Sequence, residues 1–116
     1  MGEQELYQRM EEKIALCEQQ YETVRENAFL STSRHSELET LRELYDRLRH
    51  TETARGMLDR LKQLLPEAEE MREREAVTPS FDWYNEHYYY EVFDGQCEAY
   101  RSVIELLEEA EENRQP

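Results

Sequence analysis

Apolar side chains at Tyr7, Met10, Ile14, Cys17, Tyr21, Val24 and Ala28 recur in a 3-4-3-4 alternation kept for three heptads. An α-helix, at 3.6 residues per turn, gathers such positions into one stripe, and a stripe of this length is the seam of a coiled-coil-like contact. The chain must supply further helices to cover it. Gly and Pro number 3 each, too few for the turns of a sandwich or barrel, so the class is all-α. With 116 residues at 14.1 kDa there is chain for one core, and 1–116 reads as a single helical domain.

Composition alone would also permit an unfolded chain. Charged residues make up 36% against about 25% in an average domain, and Leu, Ile, Val and Phe together number 22, just under the roughly 20% line below which disorder sets in. The periodicity decides for folding, helped by 8 Tyr, 4 Met and 1 Trp.

The first helix is predicted to stop near Phe29 and Leu30, because Ser31, Thr32 and Ser33 compete locally for backbone hydrogen bonds. Ser36 with Glu39 has capping-box spacing and starts a second helix, with Leu38, Leu41, Leu44, Tyr45 and Leu48 as its apolar face. Continuity through His50-Thr51-Glu52-Thr53 to Leu65 is the favoured reading, since Met57, Leu58, Leu61, Leu64 and Leu65 resume the face. A break there is the alternative, because the spacing slips and Gly56 costs about 1 kcal/mol in a helix interior. Pro66 then ends or kinks the helix, and residues 67–76 read as an exposed helical extension. Thr78-Pro79-Ser80 is the clearest punctuation. A last helix, from Ser80 or Asp82 to Asn113, repeats the seam as Tyr90, Phe93, Cys97, Tyr100, Ile104 and Leu107, with a candidate kink at Asp94-Gly95. The assembly expected is a small antiparallel bundle of three long amphipathic helices, or of four or five if the segments break. Cys17 and Cys97 lack C-x-x-C spacing and read as small buried hydrophobes.

The net charge is −14, distributed as −3 over residues 1–35, 0 over 36–66 and −11 over 67–116. Direct binding to nucleic acid or to an anionic membrane needs Lys and Arg on the binding face, so the expected partner is a basic protein. There is no cationic leader and no apolar run long enough for a membrane span, so a soluble, cytoplasmic protein is expected.

Seven of the 12 aromatic residues fall within residues 81–93. Successive helical residues step about 100°, so Tyr88, Tyr89 and Tyr90 cannot all face one core. Either they pack half-buried against the 67–76 extension, or they form a contact patch of the kind Tyr and Trp dominate. Interleaved acids would suit Arg- or Lys-bearing surfaces. The C-terminal run Glu105, Glu108, Glu109, Glu111 and Glu112 lies at the unfavourable end of a helix dipole, and reads either as a solvated tail or as a second contact for a basic partner. The candidate partner-binding residues are therefore Asp82, Trp83, Tyr84, Glu86, Tyr88, Tyr89, Glu91, Asp94, Glu105, Glu108 and Glu109.

Catalytic chemistry finds little to stand on. Glu70-x-x-Glu73 followed by Glu91-x-x-Asp94 resembles the Mg²⁺-binding pattern of all-α nucleotide pyrophosphohydrolases of the MazG type. Composition alone gives about six to seven acidic i,i+3 pairs, and the chain has seven. His35, His50 and His87 form no E-x-x-H repeat of the di-iron kind, and no Gly-rich phosphate loop is present. The function expected is thus a non-enzymatic acidic module that needs no cofactor or metal and engages a basic protein surface, in the manner of anti-restriction or anti-CRISPR inhibitors that mimic nucleic acid. A coiled-coil homodimer or structural adaptor is the alternative, and a MazG-like enzyme the third.

Overall fold

A computed structural model describes residues 1–77 and 83–112, without the side chains of residues 28, 29, 77 and 83–87. The described residues form four helices, α1 (Glu3–Val24), α2 (Ala28–His50), α3 (Ala54–Val77) and α4 (Trp83–Glu112). The all-α antiparallel bundle is thus observed, with four helices in place of the three favoured by the sequence.

Both differences in helix boundary come from caps. The first break lies at residues 25–27, not at the hydroxyl run that follows. Asn27 closes the N-terminus of α2, its Oδ1 accepting the Leu30 N–H at 3.0 Å and its carbonyl the Ser31 N–H at 2.9 Å. Asn is among the strongest N-caps, and it outweighs the weak local preference of the three hydroxyls, which fall inside the helix. Ser36 is therefore no cap. Its Oγ donates to the Val92 carbonyl of α4 at 2.6 Å, an interhelical bond at a position whose spacing to Glu39 had suggested a helix start.

The second break lies at residues 51–53, where continuity was favoured. Thr53 Oγ accepts the Gly56 N–H at 3.0 Å, and the Thr53 carbonyl accepts the Met57 N–H at 2.9 Å. Gly56 is thereby placed in the first turn of α3, where its flexibility does less harm than in an interior. Glu52 fixes the turn, taking two hydrogen bonds from Arg60 at 2.7 and 3.1 Å and pairing with Arg47 at 3.4 Å. Pro66 does not end α3, which runs on to Val77. Pro66 is exposed and sits on the solvent side of the helix.

The helices run up, down, up, down. α1 and α2 pair antiparallel through Glu18 with Arg42 at 2.7 Å and Glu11 with Tyr45. α3 and α4 pair antiparallel through Arg72 with Asp94, Arg101 with Glu69, Lys62 with Glu108 and Arg55 with Glu111. α2 and α4 lie side by side in parallel along the short diagonal of a flattened bundle, with α1 against α2 and α3 against α4. The result is a rod of 55 × 29 × 22 Å. Since α4 is covered by both α2 and α3, it buries more than the one stripe read from sequence. Cys97 and Leu107 of that stripe are buried, and Ala99, Val103, Leu106 and Ala110 join them from a second. The 67–76 segment is likewise packed rather than free, with Ala68 buried and Arg72 reaching α4 while Met71 stays exposed.

The parallel pair meets closely at Gly95. A Cβ there would lie 2.3 Å from the Ser33 carbonyl oxygen, 2.7 Å from Ser36 Cβ and 2.8 Å from the Glu37 nitrogen, so only a glycine lets α4 seat against α2. Asp94 joins three helices at this point. It accepts a hydrogen bond from Ser33 Oγ of α2 at 3.0 Å and pairs with Arg72 of α3 at 3.3 Å.

Gly95→Ala should lower stability by about 2 kcal/mol or more, since the added methyl meets backbone that cannot swing aside. Urea unfolding reads this as a lower midpoint at unchanged slope, and an unaltered midpoint would show that the helices do not cross so closely. Cys17 and Cys97 are free and buried. Burial, followed by the charge of Glu37, pushes the Cys17 thiol up to about 12, and burial raises Cys97 also. A thiol-reactive reagent at about pH 8 should therefore leave both untouched in the folded protein and label both in denaturant. Rapid labelling of the native chain would contradict the packing.

Candidate functional site

At about 1.5 Å per residue, the 30 residues of α4 span about 45 Å. Tyr88 and Glu108 are consequently about 30 Å apart on one rigid element, and the two acidic features seen in the sequence do not form one surface. They must be considered separately.

The C-terminal acids face cations of the chain itself. Arg9 holds Glu109 with a forked pair of hydrogen bonds at 2.7 and 3.1 Å, Lys62 meets Glu108 at 3.2 Å, and Arg55 meets Glu111. The Arg9 hydrogen bond holds the Glu109 carboxyl below the usual carboxylate range. Antiparallel packing explains the arrangement: the N-terminal halves of α1 and α3 lie beside the C-terminal end of α4, so carboxylates near a negative helix end, unfavourable alone, meet cations across the interface. These are exposed pairs, and solvent screens them strongly. Glu105 is exposed on the same helix.

The aromatic end of α4 is different. Asp82 lies outside the described residues, and the side chains of Trp83, Tyr84 and Glu86 are likewise not described. Tyr88 and Tyr89 are 47% and 53% exposed, with their rings edge-to-face at 5.4 Å. Glu91 is half-buried and engaged, and Asp94 is tied into the three-helix junction. Tyr88 forms one wall of an open groove of about 460 Å³ between the upper ends of α1, α2 and α4. Val92 and Gln96 continue its α4 side, Tyr21 of α1 lies opposite, and His35, Glu39 and Glu43 of α2 run between.

Of these groove residues only Tyr88 is among the sequence candidates, and the polar and aromatic ones missing from them are Tyr21, His35, Glu39, Glu43 and Gln96. The i,i+4 ladder of His35, Glu39 and Glu43 was the available signal, and it was hidden by starting α2 at residue 36. His35 Nε2 lies 3.4 Å from Glu39, and its ring is 5.7 Å from that of Tyr21.

The two halves of the MazG-like pattern do approach each other across α3 and α4, but on a guanidinium. Arg72 contacts Glu73 and Asp94, both at 3.3 Å, and Glu70 is held by Arg74 at 2.6 Å. No group of three or more potential metal-ligating side chains gathers among the described residues. Comparison with protein-family models, with curated proteins and with solved structures finds no match.

A panel of nucleoside triphosphates with Mg²⁺ or Mn²⁺ should accordingly show no turnover. Hydrolysis that is lost in Glu91→Gln and Asp94→Asn would instead assign the α3–α4 face to pyrophosphohydrolase chemistry.

Proposed function

We propose that the protein is a non-enzymatic binding module whose aromatic, acid-rimmed end docks on a basic protein surface, such as the nucleic-acid groove of another protein. The observation that carries this reading is the half-exposed Tyr88–Tyr89 pair, of which Tyr88 lines a groove bordered by Glu39 and Glu43, in a chain of net charge −14. Tyrosines offer large rigid contact area and concentrate at binding hot spots, and the surrounding field speeds encounter with a cationic partner. Carboxylates standing in for phosphates would make the module an inhibitor by mimicry, the sharper form of the proposal.

The same uncovered tyrosines are what a two-fold dimer would bury, which is the competing reading. A charge of −14 on each copy opposes that pairing. Sedimentation equilibrium at micromolar concentration should return the single-chain mass of 14.1 kDa, and twice that mass would assign the tyrosines to a homodimer.

Capture from a lysate of the source organism, read by mass spectrometry, should enrich basic, nucleic-acid-binding proteins. With the captured partner, Tyr88→Ala and Tyr89→Ala should each raise the dissociation rate about tenfold or more, while association should slow steeply as salt rises. Partners that are neutral or acidic, or binding untouched by both tyrosine variants, would overturn the proposal.

A further inference from the structure

The bundle contains, at its opposite end, a site already filled by a cation of its own. The Arg49 guanidinium carbon sits 5.0 Å from the Tyr7 ring centroid and 5.6 Å from that of Tyr45, with the two rings edge-to-face at 6.4 Å. Arg49 donates to the Tyr45 hydroxyl at 2.9 Å, and that hydroxyl donates to Glu11. Here α1 and α2 each give a tyrosine, a glutamate completes the ring of contacts, and an arginine lies among them. Such a cage suits guanidinium, whose flat face stacks on an aromatic ring while its edge bonds to oxygen.

The groove at the aromatic end has the same parts without the guanidinium. Tyr21 of α1 and Tyr88 of α4 form its walls, and Glu39 and Glu43 of α2 present carboxylates one helical turn apart. Among the described residues, neither Lys nor Arg lines it. Glu39 pairs at 3.4 Å with His35, a cation only when protonated, and Glu43 pairs at 3.2 Å with Arg47, which does not reach the groove lining. We infer that this groove receives an arginine side chain of the partner protein, stacked against Tyr88 and bonded to Glu39 and Glu43. The inference rests on the proposed binding function and names its recognition chemistry. An arginine is chosen over a lysine because two tyrosine walls reward a planar cation, whereas an ammonium would gain only the carboxylates.

Calorimetric titration of the full chain with hexaarginine and hexalysine peptides, at about 50 mM salt where charge contacts are weakly screened, separates the two levels of the claim. Hexaarginine should bind about three- to tenfold more tightly than hexalysine. Tyr88→Ala, at an exposed position that folding does not need, should bring the ratio to about one. Glu39→Gln with Glu43→Gln should weaken hexaarginine about tenfold, while Glu5→Gln with Glu12→Gln, an equal charge loss on the lower half of α1, should change it less than about twofold. If both peptides bind with equal affinity, or if Tyr88→Ala keeps the ratio, the groove assignment is overturned and the basic-partner reading stands. Should neither peptide bind, both are overturned.

Discussion

The contact at Gly95 governs the rest of the bundle. Parallel helices have no hairpin to bring them together, so α2 and α4, separated in sequence by the whole of α3, must find their register through side chains and backbone alone. The missing Cβ of Gly95 admits the Ser33 carbonyl and the Ser36 side chain, and that approach brings Ser36 Oγ within 2.6 Å of the Val92 carbonyl. The neighbouring Asp94 then has Ser33 on one side and Arg72 on the other. A part-buried carboxylate satisfied from two helices is expensive to leave half-paired, so any arrangement that moved α3 relative to α2 would strand it. One small residue thus fixes the crossing, and the acid beside it fixes which helix lies on the far side.

Much of this was legible from periodicity. The α1 stripe is real, with Met10 and Cys17 buried and Tyr7 and Ile14 packed at its edge, and the α4 stripe holds at Cys97 and Leu107. Leu6 escaped because the repeat was begun at Tyr7, although both flank the same turn. What periodicity could not give was the choice among competing caps. The Ser31 to Ser33 run reads as a helix end by residue type, but the Asn27 cap starts α2 ahead of it, and Ser33 and Ser36 then bond to α4 from inside the helix. Ser36 carries the same lesson: its spacing to Glu39 was a true pattern with a tertiary use. Thr53 was passed over because the apolar face continues in phase on both sides of it, and a short turn between packed helices preserves phase as well as an unbroken helix does.

The candidate site was half visible for a related reason. Crowding of aromatics around residues 81–93 marks the end of α4 that borders the candidate groove, since three consecutive tyrosines cannot share one face. Its counterparts on α1 and α2 carry no unusual composition. Tyr21 belongs to an ordinary heptad stripe, and Glu39 and Glu43 are two acids among 28. Only the parallel placement of α2 beside α4 makes them neighbours of Tyr88, and a parallel pairing of helices distant in sequence leaves no local trace.

Charge follows from the same topology. In an up-down-up-down bundle, each end of the rod presents two helix N-termini and two C-termini, so a net charge can be tolerated wherever opposite partners stand on adjacent helices. At the lower end they do: Arg9, Arg55 and Lys62 stand against Glu109, Glu111 and Glu108, and the acid-rich tail of α4 is compensated within the fold. At the upper end, the carboxylates along the groove have His35 and Arg47 as partners, and among the described residues no Lys or Arg lines the groove itself. A surface that keeps Tyr88 and Tyr89 half in water beside carboxylates answered by one histidine and one arginine has more to gain from a cationic, planar ligand than the tail, whose acids meet Arg9, Lys62 and Arg55, and this is the physical ground for placing the proposed contact at that end.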